Sequence, residues 1–467
     1  MKQTLDRLFS LEENDTSMRT EALAGATTFL TMSYIVVVHP AILTAFPNDG
    51  VPGGIAVQGY TSGEVLQMLT VITILTSAAA MLVMAFYANL PFGLAPGLGI
   101  NTYFAVTVVG ILGVPWETAL SAIFVEGVLF IILTATGARE YVIRLFPEPV
   151  KLSVGTGIGL LLAITGLQAM GIVTDDPGTL VSLGNVAGDP VAMLSTVGLF
   201  LTLGLYARGT RGSILIGVVA TTGVGWGLTQ AGVVGSGTLA PESIPSAQYN
   251  ITPLVGAFIE GFTNVEAFVF ALVVFTFFFV DFFDTAGTLV GVGQAGGFLD
   301  EDGDFPGIDK PLMADAVGTT VGGILGTSTV TTFIESATGI NEGGRTGLTA
   351  LVVAVLFLCS LLVVPLAAAI PLYASHIALV VVAVLLIRNV VDIRWDDFAH
   401  AVPAGLTIMV IPFTYSIAYG IAAGIISYPV VKANQGKVSD IPVGQWILAA
   451  SFVLYFVVRT SGVLMSV

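Results

Sequence analysis

The sequence predicts an all-α polytopic membrane protein of about fourteen segments, each near the 20-residue length that spans a bilayer. Three observations lead there. Of 467 residues, 55% are hydrophobic and only 10% charged, whereas a soluble domain carries about 25% charged residues. Apolar stretches recur along the whole length and leave no room for a sizeable soluble domain. Basic residues gather in alternate connections, as they do when every second loop faces the cytoplasm.

The segments fall at 24–46, 66–88, 90–112, 117–137, 152–172, 191–207, 212–231, 266–293, 312–326, 327–341, 346–366, 370–388, 403–431 and 443–465. Loops 47–65, 173–190 and 232–265 contain no Lys or Arg, which places them outside and the amino terminus in the cytoplasm. Arg139, Arg144 and Lys151 mark an inner connection, as do Arg208 with Arg211, and Lys310. The polar stretch 1–20 is a cytoplasmic lead-in, 21–231 and 264–431 form two halves, and 432–467 is a C-terminal hydrophobic segment. Lys432 and Lys437 look cytoplasmic. Either 403–431 is a hairpin of two short helices, or the count shifts by one near the end.

Two segments do not read as ordinary helices. LPFGLAPGLGINTYFAVTVVG (90–110) has two prolines and three glycines before Tyr103. GGILGTSTVTTFIESATGINEGG (322–344) carries a polar, β-branched run. Pro, Gly and β-branched residues disfavour helix. Non-helical backbone survives at membrane depth only where protein or a water-filled cavity covers it. A helix restarting after such a break offers a positive end and free N–H groups. Broken segments in corresponding positions of two halves point to a binding site between inverted repeats; here they are the third segment of each half.

Acids in apolar runs mark the same place. Asp281 and Asp284 lie in FVFALVVFTFFFVDFFDTAGTLVGVG, and Glu335 in TSTVTTFIESATGI. Three carboxylates facing lipid would cost on the order of 8–10 kcal/mol, so they are expected to face a polar cavity. Asp281, Asp284, Thr285 and Thr288 are spaced to share one helix face. That seam can bind a polar ligand or hold a proton, and it would also suit a purely structural buried network. Glu335 and Asn101 hold equivalent places after the two breaks; each would also serve as a cap. The Asn101 amide both donates and accepts hydrogen bonds. Tyr103, Phe104 and Phe333 could stack on a planar ring. His39, before Pro40, reads as packing at the outer end of the first helix. The single cysteine, Cys359, reads as a small packing residue, and no Cys/His metal cluster is present. A net charge of −16 argues against nucleic acid as a partner, and the acidic loops, such as 300–309, fit a high-salt setting.

TEALAGATTFLTMSYIVVV, PFGLAPGLGINTYFA, FFFVDFFDTAGTLVGV and DAVGTTVGGILGTSTVTTFIESATGINEGGRTGLTA together resemble the AzgA-like adenine/guanine/hypoxanthine permeases. These are a branch of the nucleobase–cation symporter family that includes the xanthine/uracil permeases. The resemblance runs from about residue 15 to 430. It implies two inverted seven-segment repeats, divided into core and gate domains, with short antiparallel strands in segments three and ten. It implies base binding by Asp281 and Glu335, with Asn101 on segment three. Asp284 and Gly99 match positions near the family's site. Thr285 stands where relatives of the uracil branch carry His.

The expected function is import of hypoxanthine, guanine or adenine across the plasma membrane by cation symport with alternating access. The cation is H⁺, with Na⁺ the variant that high-salt life makes worth testing. Asp281, Glu335, Asn101, Thr285, Phe333 and Gly99 are the expected substrate contacts. Asp284 or Glu335 carries the proton. No cofactor, metal or catalytic residue is expected, and a homodimer is. Two rivals remain at this point: the same fold carrying uracil, xanthine or an inorganic anion, and an Mg²⁺-dependent intramembrane prenyltransferase holding its metal on Asp-x-x-Asp. Three acids repel an anion, and the absence of Lys and Arg between 212 and 309 leaves a diphosphate without partners.

Overall fold

The computed structural model describes residues 7–45, 53–137, 146–242, 246–263, 266–299 and 305–460. Arg139, Arg144, residues 46–52 of the first outer loop and the acidic run 300–304 lie outside the described residues. Among the described residues, eight helices are long and apolar enough to cross a membrane. They are Met18–Leu43, Ser62–Ala88, Trp116–Thr136, Glu148–Ala169, Pro190–Ala207, Ser213–Gln230, Gly347–Ala367 and Leu372–Asp392. Shorter apolar helices include Leu98–Ile111, Phe398–Thr414 and Val443–Leu454. The expected helical, many-segment architecture is therefore present.

Local sequence sets the ends of these elements. Ser17 caps Met18–Met32 by accepting from the Thr20 amide at 3.2 Å. Thr61 and Glu64 form a reciprocal capping box at the start of Ser62–Val83, which satisfies amides a helix start would otherwise orphan. Gly326 ends Asp309–Leu325 at φ +100°, and a Cβ there would come within 2.8 Å of Leu254 main chain. Only glycine meets both demands.

Both expected chain breaks appear, and each contributes a three-residue strand. β1 (Leu94–Pro96) pairs antiparallel with β4 (Val330–Thr332), in the register Leu94 to Thr332, Ala95 to Thr331 and Pro96 to Val330. The ladder continues beyond the strands, from the Phe333 amide to the Gly93 carbonyl at 2.9 Å and from the Gly97 amide to the Thr329 carbonyl at 3.1 Å. All six strand residues are buried. A separate two-stranded hairpin, β2 (Val173–Asp176) with β3 (Leu180–Leu183), is largely exposed.

The chain forms two compact units interleaved in sequence. One comprises Met1–Ala135 and Thr165–Val381, the other Thr136–Ile164 and Val382–Val467. The first holds both breaks and their ladder. In the second, the segment expected at 403–431 is a hairpin of two helices, Phe398–Thr414 and Ile417–Asn434, turning at Tyr415 with φ 49°. Close packing of the pair uses Gly420 and Gly424, where a Cβ would fall 2.3 Å from Ile411 and 2.2 Å from Thr407. Counting the hairpin as two completes seven elements from 267 to 434, and Val443–Thr460 follows as an extra helix.

Candidate functional site

The ladder is the frame on which the acidic groups hang. Its outer side needs help, because an unpaired strand edge leaves main-chain groups without partners at membrane depth. Thr319 supplies them: its hydroxyl donates to the Val330 carbonyl at 3.1 Å and accepts from the Val330 amide at 3.2 Å. Opposite, the Gly93 amide donates to the Ser336 hydroxyl at 2.9 Å. Gly97, which opens the helix after β1, packs against Thr331; a Cβ there would lie 2.8 Å from Thr331 Cγ2 and 3.8 Å from Asp284 Oδ2. That close approach places Asp284 beside the first break.

Asp281 lies in the helix Ala267–Gly296 and is fully buried. Thr285, one turn on, has three oxygen neighbours. Its hydroxyl sits 3.4 Å from Asp281 Oδ1 and 2.9 Å from Thr331 Oγ1, and it hydrogen-bonds to Asp315 Oδ2. Asp315 Oδ1 accepts from Thr332 at 3.1 Å. Glu126, from the Trp116–Thr136 helix, accepts from Thr329 at 3.2 Å, and its carboxyl lies within hydrogen-bonding reach of Asp281. Asp281, Glu126 and Asp315 thus form a fully buried carboxyl group set threaded through the threonines of β4 and its approach.

The remaining expected residues surround the same ladder. Asn101 is fully buried; its Oδ1 accepts from Ser328, and its Nδ2 has no partner. Glu335 is half-buried and accepts from the Tyr34 hydroxyl at 2.7 Å. Asp284 is also half-buried. Phe333 is buried beside the ladder end and Gly99 is partly open in the first turn of the restarted helix. Tyr103 and Phe104 pack on Phe277, with ring centroids 5.2 and 6.3 Å apart. His39 is fully buried, and its Nε2 lies 2.6 Å from the Thr327 hydroxyl at the start of the second break. An open pocket lined by Leu112, Pro115, Thr118, Glu266 and Phe270 shares none of these residues.

The two restarted helices differ. Gly97 gives Leu98–Thr102 no side-chain cap, which leaves first-turn amides open as expected. At the second break the amides of Ser336, Ala337 and Thr338 donate to the carbonyls of Phe333, Ile334 and Glu335 at 3.1, 3.0 and 2.9 Å. That tight turn consumes the donors, so the expectation of free N–H groups after both breaks holds at the first only. Glu126, Asp315, Tyr34 and Glu21 were not singled out from the sequence. For Glu126 the signal was there, a lone acid in ALSAIFVEGVLFIILT, of the kind that marked Asp281.

Paired broken segments meeting in a short ladder, ringed by acids within apolar helices, define a secondary-transporter architecture. Solved structures agree on the fold. The transmembrane domain of a cyanobacterium bicarbonate transporter, BicA, superposes with a TM-score of 0.60 over 87% of this chain and 97% of that one at 15% identity. The structure of SLC26A9 follows at 0.59 over 89% of this chain and 65% of that one, with 12% identity. The xanthine/uracil permease model, described as a permease family, matches residues 19–423, and the chain belongs to that family. It is 43% identical to a putative permease of Methanocaldococcus jannaschii, over 97% of this chain and 98% of the relative. It is 38% identical to the adenine permease AdeP of Escherichia coli, over 97% and 96%. It is 40% identical to the guanine/hypoxanthine permease PbuO of Bacillus subtilis, over 93% and 96%. The chain is thus a multi-pass membrane permease, and the prenyltransferase reading falls away.

Proposed function

We propose that this permease imports purine bases, hypoxanthine, guanine or adenine, across the plasma membrane by proton symport with alternating access, its amino terminus cytoplasmic. The observation that carries the reading is the β1–β4 ladder with Asn101, Asp281, Asp284 and Glu335 around it. The names of the relatives supply the cargo class. A purine edge offers ring N–H donors and lone-pair acceptors side by side. Carboxyls take the donors, and the Asn101 amide and the open amides after Gly97 serve the acceptors. Asp281 and Glu335 are the proposed base ligands, with Thr285, Gly99 and Phe333 beside them and Asp284 supporting them. A homodimer is the proposed assembly.

The relatives in fold include a bicarbonate transporter and an anion transporter, so the rival cargo is an anion. Three or more buried acids repel one. Radiolabelled hypoxanthine uptake into cells, with unlabelled guanine, adenine, uracil, xanthine and sulfate as competitors, decides between them. Competition by purines alone supports the reading. Competition by sulfate, or wild-type uptake by Asp281→Ala, overturns it.

A further inference from the structure

Glu126 has no part in the base contacts above. It is fully buried in the Trp116–Thr136 helix, and its Oε1 has no hydrogen-bond partner. Asp281 Oδ2, in the carboxyl that Glu126 faces, has none either. Ionised carboxyls only accept hydrogen bonds, so two facing ones leave both oxygens orphaned and two like charges in a low-dielectric interior.

The donors nearby cannot repair this. A hydroxyl carries one hydrogen, and Thr285 divides its own among Asp281, Asp315 and Thr331, with Asp281 the 3.4 Å contact. Thr332 serves Asp315 and Thr329 serves the other oxygen of Glu126. Glu21, a carboxyl equally buried in the same unit, shows what a satisfied anion looks like here. It accepts from the amides of Arg345, Thr346 and Thr349 at 2.9, 3.3 and 3.2 Å, and from the Thr349 hydroxyl at 2.6 Å. The titratable groups facing the pair are Asp315, which neighbours both, and Asp284, which neighbours Asp281. His39 touches Thr327, two residues from Thr329. Lys310, the basic residue on the contributing helices, is exposed.

We propose that Glu126 and Asp281 share a single proton, and that this pair is where the coupling proton rides. The proposal rests on the proton-symport reading above and moves the proton from Asp284 or Glu335 to the pair. A proton taken from water on the outer side forms an O–H···O bond between the two orphaned oxygens and removes one of the two charges. Asp281 then meets a ring N–H without a second bare anion behind it. On the inner side the proton returns to water, the two carboxylates repel, and the base is released with it.

The test is infrared difference spectroscopy of the purified full-length protein, free of substrate, between acid and alkaline pH. The expected result is a protonated-carboxyl C=O band in the wild type that is lost in Glu126→Gln and in Asp281→Asn. Two variants are used so that one failing to fold leaves the other to decide. A band unchanged in a folded variant overturns the proposal. In proteoliposomes, each unit of imposed pH gradient drives about tenfold accumulation for one proton per base. Glu126→Gln is expected to lose that dependence, measured as gradient-driven accumulation relative to base exchange. Retention of the wild-type ratio overturns the proposal, as does accumulation driven by Na⁺ alone in the wild type. If the wild type takes up no purine at all, the base-permease reading fails by itself, and the infrared band still decides the proton site.

Discussion

Thr319 bonds both main-chain groups of Val330, donating to the carbonyl at 3.1 Å and accepting from the amide at 3.2 Å. One hydroxyl thereby closes the open edge of the strand that carries the site's threonines. Thr319→Val removes it at nearly constant shape and orphans two buried groups, at roughly 1–3 kcal/mol each. Thermal unfolding in detergent should shift down and base uptake should fall, while Thr319→Ser restores both. An unshifted Thr319→Val unfolding curve would mean that the edge is satisfied some other way.

Tyr34 orients Glu335 through a 2.7 Å hydrogen bond. Bonds to a charged acceptor contribute about 1.5–3 kcal/mol. Tyr34→Phe frees the carboxyl to rotate, so KM for hypoxanthine should rise about tenfold, the low end of that range, with thermal stability close to wild type. Transport kinetics beside a melting curve check it; equal KM values would remove Tyr34 from the site.

Glu21 caps the start of Gly347–Cys359 with four donors. Glu21→Ala strands the Arg345 and Thr346 amides, while the Thr349 amide keeps the Thr346 carbonyl at 3.1 Å, so the loss should be global, with less folded protein and a lower melting temperature. The relative preference among purines should stay as in the wild type. A specificity change with normal stability would show Glu21 acting on the substrate.

On the exposed β2–β3 turn, Asp176 accepts from the Gly178 and Thr179 amides at 2.7 and 2.8 Å and from the Thr179 hydroxyl at 3.1 Å. The Thr179 amide first, then the Gly178 amide, hold its carboxyl below the ordinary carboxylate range. A depressed value stabilises the turn fully above the unfolded value of about 3.9. That contribution is lost as pH falls through the folded value. Exchange of the Gly178 and Thr179 amides should therefore stay protected at mildly acidic pH and accelerate only in stronger acid. Asp176→Asn should weaken that protection at neutral pH.

Much of this was legible in the sequence. Pro and Gly at 90–100 and the β-branched run at 327–332 announced two chain breaks, because neither supports a helix, and the ladder formed there. What the spacing could not resolve was which side of the acidic stripe faces which neighbour. At 3.6 residues per turn, Asp281 and Thr285 fall toward one edge of that stripe and Asp284 and Thr288 toward the other. The structure buries the first pair fully and leaves the second half-buried. Glu126 and Asp315 fill the buried side, and only tertiary packing brings them there. The hairpin at Tyr415 was one of two open alternatives, since Lys432 and Lys437 constrain an end and not a turn.

The most direct test of the account is counterflow of tritiated hypoxanthine into proteoliposomes containing the wild type or Asp281→Ala. The account predicts saturable uptake by the wild type, inhibited by guanine or adenine and not by sulfate, and none above empty vesicles for the variant. Absence of saturable uptake by the wild type, or equal uptake by the variant, would contradict it.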